Sequence, residues 1–121
     1  MKTQAQGKRA ARLRRAAETR VRIARDGKRR IVVHRSGRHT YAQLIEGDRV
    51  LLSSSTLDKE LRAKIKAPHT VDAAREVGTS LAAKIAAADL NANLAFDRSG
   101  FKYHGRIKAL AEGMRAAGAK F

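Results

Sequence analysis

The order of its hydrophobic periodicities constrains this chain more than any other feature. Short β-branched runs come first: Ile31-Val32-Val33-His34, then Thr40-Tyr41-Ala42-Gln43-Leu44-Ile45, then Val50-Leu51-Leu52-Ser53. Ser36-Gly37 and Gly47-Asp48 punctuate them at the spacing of a three-stranded antiparallel meander. Strand side chains alternate, so in the middle run Thr40, Ala42 and Leu44 share one face, with His39, Tyr41, Gln43 and Ile45 on the other. The second face reads as wet, with Tyr41 in its middle.

A helical period follows. Ser55 with Asp58 resembles a capping box opening a short helix through Ile65, which Pro68 ends. Thr70 then caps a longer helix in which Val71, Ala74, Gly78, Leu81 and Ile85 recur three and four residues apart. Gly78 costs that helix about 1 kcal/mol in propensity, which points to close contact of the helix with a sheet. Leu94-Ala95-Phe96 reads as a fourth strand leading into Asp97-Arg98-Ser99-Gly100. Ile107, Leu110, Ala111 and Met114 mark a last helix, with Gly118 near its end. The expected architecture is α+β: a mixed sheet of three antiparallel strands plus one more, backed by helices on one face. The opposite face is left for a partner.

A chain of 121 residues forms one core by default and buries roughly two thirds of its unfolded surface. With two Tyr, three Phe and no Trp, that core is built mainly from Ala, Val, Leu and Ile. Charge divides the chain more sharply than apolarity does. Residues 1–30 carry 12 basic and two acidic side chains, net +10; residues 31–40 add Arg35 and Arg38, and residues 41–121 carry 13 basic against nine acidic, net +4. These sum to the net +16 of the whole chain. Such a field seeks polyanions, because each basic group that displaces a condensed counterion from a phosphate backbone adds salt-dependent free energy.

The chain therefore divides into a basic arm, residues 1–29, and a globular domain, residues 30–121. The arm reads as helix over residues 7–25, with Asp26-Gly27 as its stop and Leu13, Ala17, Val21 and Ala24 as a thin apolar stripe. Like charges three and four apart, such as Lys8 with Arg12, oppose that helix by a few tenths of a kcal/mol per pair. The arm is expected to be flexible when free and helical on an anionic partner.

Several features invite chemistry. His34-Arg35-Ser36-Gly37 and Asp97-Arg98-Ser99-Gly100 echo one another at strand ends, where a guanidinium and backbone N–H groups could hold a phosphate; the plainer reading is two ordinary turns. Asp97 reads as a cap for its turn or an orienting partner for Arg98. Tyr41, Phe96, Phe101 and Tyr103 stand beside Arg35, Arg38, Arg98, Lys102 and Arg106, a mixture suited to unpaired RNA bases, which stack on rings and guanidinium planes. Phe96 closes an apolar run and reads first as core. The absence of Cys excludes thiolate chemistry, and His34, His39, His69 and His104 lack metal-ligand spacing, so no metal or cofactor is expected. Neither a phosphate-cradling Gly-x-x-x-x-Gly-Lys nor a Gly-x-Ser-x-Gly elbow occurs, and the chain does not read as an enzyme. No window reaches the roughly 18 apolar residues of a membrane span, and the N-terminus lacks a secretory h-region, so a soluble protein that stays where it is made is expected.

The residues then match a known pattern. His34-Arg35-Ser36 with Arg38-His39-Thr40-Tyr41-Ala42-Gln43, the run Ser53-Ser54-Ser55-Thr56, the stretch from Phe96 through Arg106, and the terminal Ala117-Gly118-Ala119-Lys120-Phe121 resemble the bacterial large-subunit ribosomal protein eighteen family. The resemblance runs from the arm to the last residue. It implies a cytoplasmic, non-enzymatic constituent of the large ribosomal subunit that binds 5S rRNA and helps attach it to the central protuberance. The implied partners are 5S rRNA, 23S rRNA and neighbouring large-subunit ribosomal proteins, with no membrane and no small-molecule substrate. Carried over by position, the RNA-facing residues would be Arg9, Arg12, Arg14 and Arg15 of the arm, Arg35, Arg38, His39, Tyr41 and Gln43 of the strands, and Arg98, Tyr103 and His104 of the last loop. The competing reading is a nucleoid-type, non-specific DNA-binding protein; the aromatics beside arginine and the lack of a clear helix-turn-helix count against it. A cationic membrane-surface protein would need a stronger apolar face than Leu13, Val21 and Ile23 provide.

Overall fold

A computed structural model describes the backbone of residues 4–25 and 27–121, and the side chains of residues 7–25 and 27–121. The three β-branched runs form strands β1 (Arg29–Arg35), β2 (Thr40–Glu46) and β3 (Arg49–Ser55), a meander in which β1 pairs with β2 and β2 with β3, both antiparallel. Gly47 makes the β2–β3 turn at φ 61°, a left-handed conformation that glycine adopts without strain. The fourth run, β4 (Leu94–Asp97), lies parallel to β1, so the sheet order is β3-β2-β1-β4. A parallel neighbour requires a long crossover, and here it passes through helix α3 (Val71–Ala87).

The core lies between one face of this sheet and a pair of helices, α3 and α4 (Gly105–Ala116). Alternation puts Ile31 and Val33 of β1 and Ala42 and Leu44 of β2 on that face, all fully buried. They pack with Val77, Leu81 and Ile85 of α3 and with Leu110 and Met114 of α4. Each Val- or Leu-sized side chain removed from water in this way contributes about 2 kcal/mol. Thr70 caps α3 as its position predicts, its hydroxyl accepting from the Ala73 N–H at 3.2 Å.

Three local expectations are corrected. Gly78 does not meet a sheet: a Cβ there would lie 2.1 Å from the Leu110 carbonyl oxygen, so the glycine lets the backbones of α3 and α4 touch. Helix periodicity identifies a buried position but not the element that buries it. The short helix α2 spans only Lys59–Arg62 and stops well before Pro68. Asp58 itself stands at its N-cap, while the Asp58 carboxylate accepts from the Ser55 N–H at 3.0 Å and the Ser55 hydroxyl accepts from the Leu57 N–H at 3.1 Å. The expected capping partners thus close a turn ahead of the helix.

The third correction concerns helix α1 (Gln4–Arg25). Its predicted stripe faces solvent: Leu13 is 48% and Val21 68% exposed. The buried positions are Ala16 and Ile23, in line with half-buried Arg12 and Thr19. This arises because α1 docks by polar contacts, with Arg20 reaching Asp97 of β4, which also holds Arg30. Arg30 alternates with the core residue Ile31, so α1 covers the β4 side of the sheet face opposite α3 and α4. That face is therefore only partly open. The helix stops short of Gly27, whose N–H bonds to the Ala24 carbonyl at 3.1 Å; Asp26, the other half of the expected stop, lies outside the described residues.

Candidate nucleic-acid interface

Parallel pairing sends β1 and β4 to the same end of the sheet, and the turn after β4 returns there beside the first turns of α1. Asp97, fully buried, accepts from the Ser99 N–H at 2.9 Å and ties that turn to Arg30 at 3.3 Å and Arg20 at 3.4 Å. It caps the turn as expected but orients Arg20 and Arg30, not Arg98. Ser99 donates its hydroxyl to the Val33 carbonyl at 2.8 Å, a buried bond that pins the turn to β1. At Gly100, φ is +75° and a Cβ would stand 2.1 Å from the Arg12 carbonyl oxygen, so only glycine allows α1 to sit this close.

Two arginines of α1 fasten the contact. Arg12 donates to the Ser99 carbonyl and Arg15 to the Gly100 carbonyl, each at 3.1 Å. The Arg12 guanidinium lies 4.5 Å from the Phe101 ring centroid, and Arg35, at the end of β1, lies 5.0 Å from the same centroid. Between α1 and this loop opens a cleft of about 580 Å³ lined by Lys8, Arg9, Arg12, Arg15, Arg35, Phe101, Lys102 and His104, and among its described lining residues none is acidic. Arg106, in the first turn of α4, is not among the residues that line this cleft. Its pKa is pushed below the ordinary arginine value, first by burial of part of the group and then by the charge of Arg35. One Arg106 nitrogen, Nη1, is buried without a hydrogen-bond partner among the described residues.

The open part of the sheet face adjoins this cleft. Register places His34 opposite Tyr41 and Tyr41 opposite Ser55; Val32 faces Gln43, and Gln43 faces Ser53. Tyr41 is half-buried between His34 and His39, at ring separations of 6.0 and 6.4 Å, while Gln43 is exposed. The His39 Nδ1 is 2.8 Å from the Thr56 hydroxyl, which holds the ring at the rim.

Of the twelve residues expected to face RNA, the fold brings Arg9, Arg12, Arg15, Arg35 and His104 into the cleft. Tyr41, Gln43 and His39 form the adjoining face, with Arg38 exposed in the β1–β2 turn. Arg14 points to solvent on α1 away from the cleft lining. Tyr103 accepts from Arg115 of α4 at 3.4 Å and is not among the cleft's lining residues. The two echoing turns do not combine into one site. Arg35 lines the cleft, whereas Arg98 lines a different hollow beside Arg22 and Lys28, and the Ser99 hydroxyl is occupied by Val33. Sequence reasoning set Phe101, Lys102 and Arg106 in a mixture suited to unpaired bases without counting them among the twelve RNA-facing residues; the convergence of Phe101 and Lys102 with Arg12 and Arg35 is a long-range event.

Among the described residues no group of three or more His, Cys, Asp or Glu side chains could hold a metal ion, and no helix is long and apolar enough to cross a membrane. Comparison with known proteins adds a family. Residues 2–121 match the family described as ribosomal L18 of archaea, bacteria, mitochondria and chloroplast. Relatives named large ribosomal subunit protein uL18 align over nearly their whole length. Those of Vibrio atlanticus and Colwellia psychrerythraea are 48% and 50% identical over 116 residues, covering 94% of this chain and 98% of each relative. That of Alcanivorax borkumensis is 51% identical over 116 residues, covering 94% of this chain and 97% of the relative. With the expected mixed sheet in place and the match extending over the basic helix as well, the chain belongs to the ribosomal L18 family.

Proposed function

We propose that this chain is a structural, non-catalytic constituent of the large ribosomal subunit that binds 5S rRNA and helps attach it to the central protuberance. The observation that carries the RNA reading is the continuity of a carboxylate-free cationic cleft with a partly open sheet face bearing Tyr41, His34 and Gln43. Phosphates are met by the cleft and by exposed arginines such as Arg14, Arg38 and Arg98. Unpaired bases are met by the Tyr41 face and by the exposed ring of Tyr103, whose apolar surfaces suit stacking. The relatives' names support the large-subunit assignment, and the resemblance supplies 5S rRNA as the particular ligand. On this reading 23S rRNA and neighbouring ribosomal proteins complete the surroundings, and the protein works in the cytoplasm. Residues 1–29 act as an arm that is loosely held in the free protein and secured on RNA.

The test is a titration into labelled 5S rRNA over a range of salt, with transfer RNA and duplex DNA as competitors at equal concentration. The expected result is 5S binding that survives competition, with a log–log salt slope of several units from phosphate neutralisation. Equal competition by all three nucleic acids would overturn 5S recognition and favour non-specific DNA binding.

A further inference from the structure

Every described polar side-chain contact between α1 and the rest of the chain ends on one short segment, residues 97–101. Arg12 donates to the Ser99 carbonyl, Arg15 donates to the Gly100 carbonyl, and Arg20 pairs with Asp97. Arg12 also lies over the Phe101 ring. Among the described ion pairs, Arg20 with Asp97 is the one that joins α1 to the body. A helix of 22 residues, whose described buried positions are Ala16 and Ile23, therefore hangs on a single turn.

That turn does not keep its shape unaided. Ser99 has φ +54°, in the left-handed region that an L side chain adopts at a cost. Asp97 Oδ1 stabilises it by accepting from the Ser99 N–H at 2.9 Å, while the Ser99 hydroxyl is tied to the Val33 carbonyl. The second carboxylate oxygen, Oδ2, lies 3.4 Å from the Arg20 Nε and 3.3 Å from the Arg30 Nη1. The Asp97 side chain is fully buried, and a buried carboxylate keeps its charge only with such partners. One oxygen builds the seat for α1, and the other holds the helix placed on it.

We propose that Asp97 is the latch of α1, a positioning residue through which the turn after β4 and the basic helix dock and release together. Arg30 is what makes the latch reversible: when Arg20 departs, Asp97 remains paired from β1, and α1 leaves without stranding a buried charge. The step from latch to binding rests on the proposed function. With α1 held in place beforehand, its cations and the Tyr41 face meet an RNA as one surface, and binding does not have to order the helix. Charge alone predicts the reverse for the loss of Asp97, since deleting a carboxylate strengthens attraction to any polyanion. The sign of the effect separates the two.

The first arm of the test follows amide hydrogen exchange in the free, full-length protein at low salt, comparing the unaltered chain with R20M, D97N and R20M/D97N. R20M leaves Asp97 paired with Arg30 and so spares the core, while the asparagine of D97N still accepts from the Ser99 N–H. Exchange over residues 12–25 should quicken about tenfold in R20M and at least as much in D97N, with α3 and α4 unchanged. The double variant should match D97N, because both substitutions remove the same interaction. Unchanged exchange of α1 in R20M, or additive effects in the double variant, would overturn the latch, and R20M decides the matter should D97N fail to fold. The second arm measures 5S rRNA binding across salt. D97N should weaken it about fivefold with the log–log salt slope kept, because no cation has been removed. Tighter binding by D97N overturns the positioning role. Lost 5S preference in the unaltered chain removes the proposed function and leaves the exchange result standing.

Discussion

Two helix contacts in this protein close on glycines, that of α3 with α4 on Gly78 and Gly113 and that of α1 on Gly100, and they are built in opposite ways. At Gly78 the backbone of α3 meets that of α4 at Leu110, surrounded by Val77, Leu81, Ile85 and Met114. At Gly100 the turn after β4 meets the backbone of α1 at Arg12, surrounded by guanidiniums that donate to carbonyls and lie over Phe101. The first contact is held by shape and exclusion of water, which salt and anions leave largely unchanged. The second is held by a few charge-assisted hydrogen bonds among like charges, so its strength is conditional on ionic strength. One sheet thus carries a permanent layer on one face and a conditional one on the other.

The largest effect should come from breaking the permanent contact. Gly78→Ala forces a Cβ against the Leu110 carbonyl with no flexible side chain to yield, and the pair of helices must separate. A loss of about 3 kcal/mol or more is expected from chemical denaturation, with the whole cooperative transition shifted. Full retention of stability would mean that the helical layer is not locked at this point.

Breaking the conditional contact should cost less and act locally. Gly100→Ala places a side chain at φ +75° against the Arg12 carbonyl, a clash that α1 can relieve by lifting away. The expected outcome is a loss of about 1 kcal/mol in global stability, with a fall in helix signal corresponding to part of the 22 residues of α1. Hydrogen exchange should show the rest of the fold unchanged. Equal global destabilisation by Gly78→Ala and Gly100→Ala would erase the distinction between the two contacts.

The smallest effect sharpens the orientation of α1. Val21→Gln alters the exposed stripe that sequence periodicity placed inward, and should change stability by less than about 0.5 kcal/mol. A loss of several times that amount would show that the outer face of α1 is buried in the protein as it exists in solution.

Much of the architecture was legible because its signals are short-range. Alternation over Thr40, Ala42 and Leu44 identified the buried face of β2, and Thr70 marked the start of α3, since strand facing and helix capping depend on residues within a few positions of one another. The site was legible in its residue types and only partly in its grouping. Arg35 and His104 share a cleft with Arg9, Arg12 and Arg15 because α1 and the Phe101 loop converge on the end of β1, an event that no local pattern encodes. The echo of His34-Arg35-Ser36-Gly37 in Asp97-Arg98-Ser99-Gly100 could not say by itself where each turn would lie, and the fold carries them to different surroundings.

By itself, then, the sequence determined the order and kind of the elements, the core faces of the strands, the excess of positive charge and its concentration in the first thirty residues. It also carried the family resemblance. Only the tertiary structure decided which face of α1 is buried, that Gly78 serves a helix and not the sheet, and that Asp97 holds Arg20 and Arg30. The physical reason is range. Periodicity and capping are set by hydrogen bonds and side-chain neighbours a few residues apart, whereas the pairing of Arg12 with Ser99, or of Arg35 with Phe101, exists only after β4 has returned beside β1 and brought distant charges within a few ångströms.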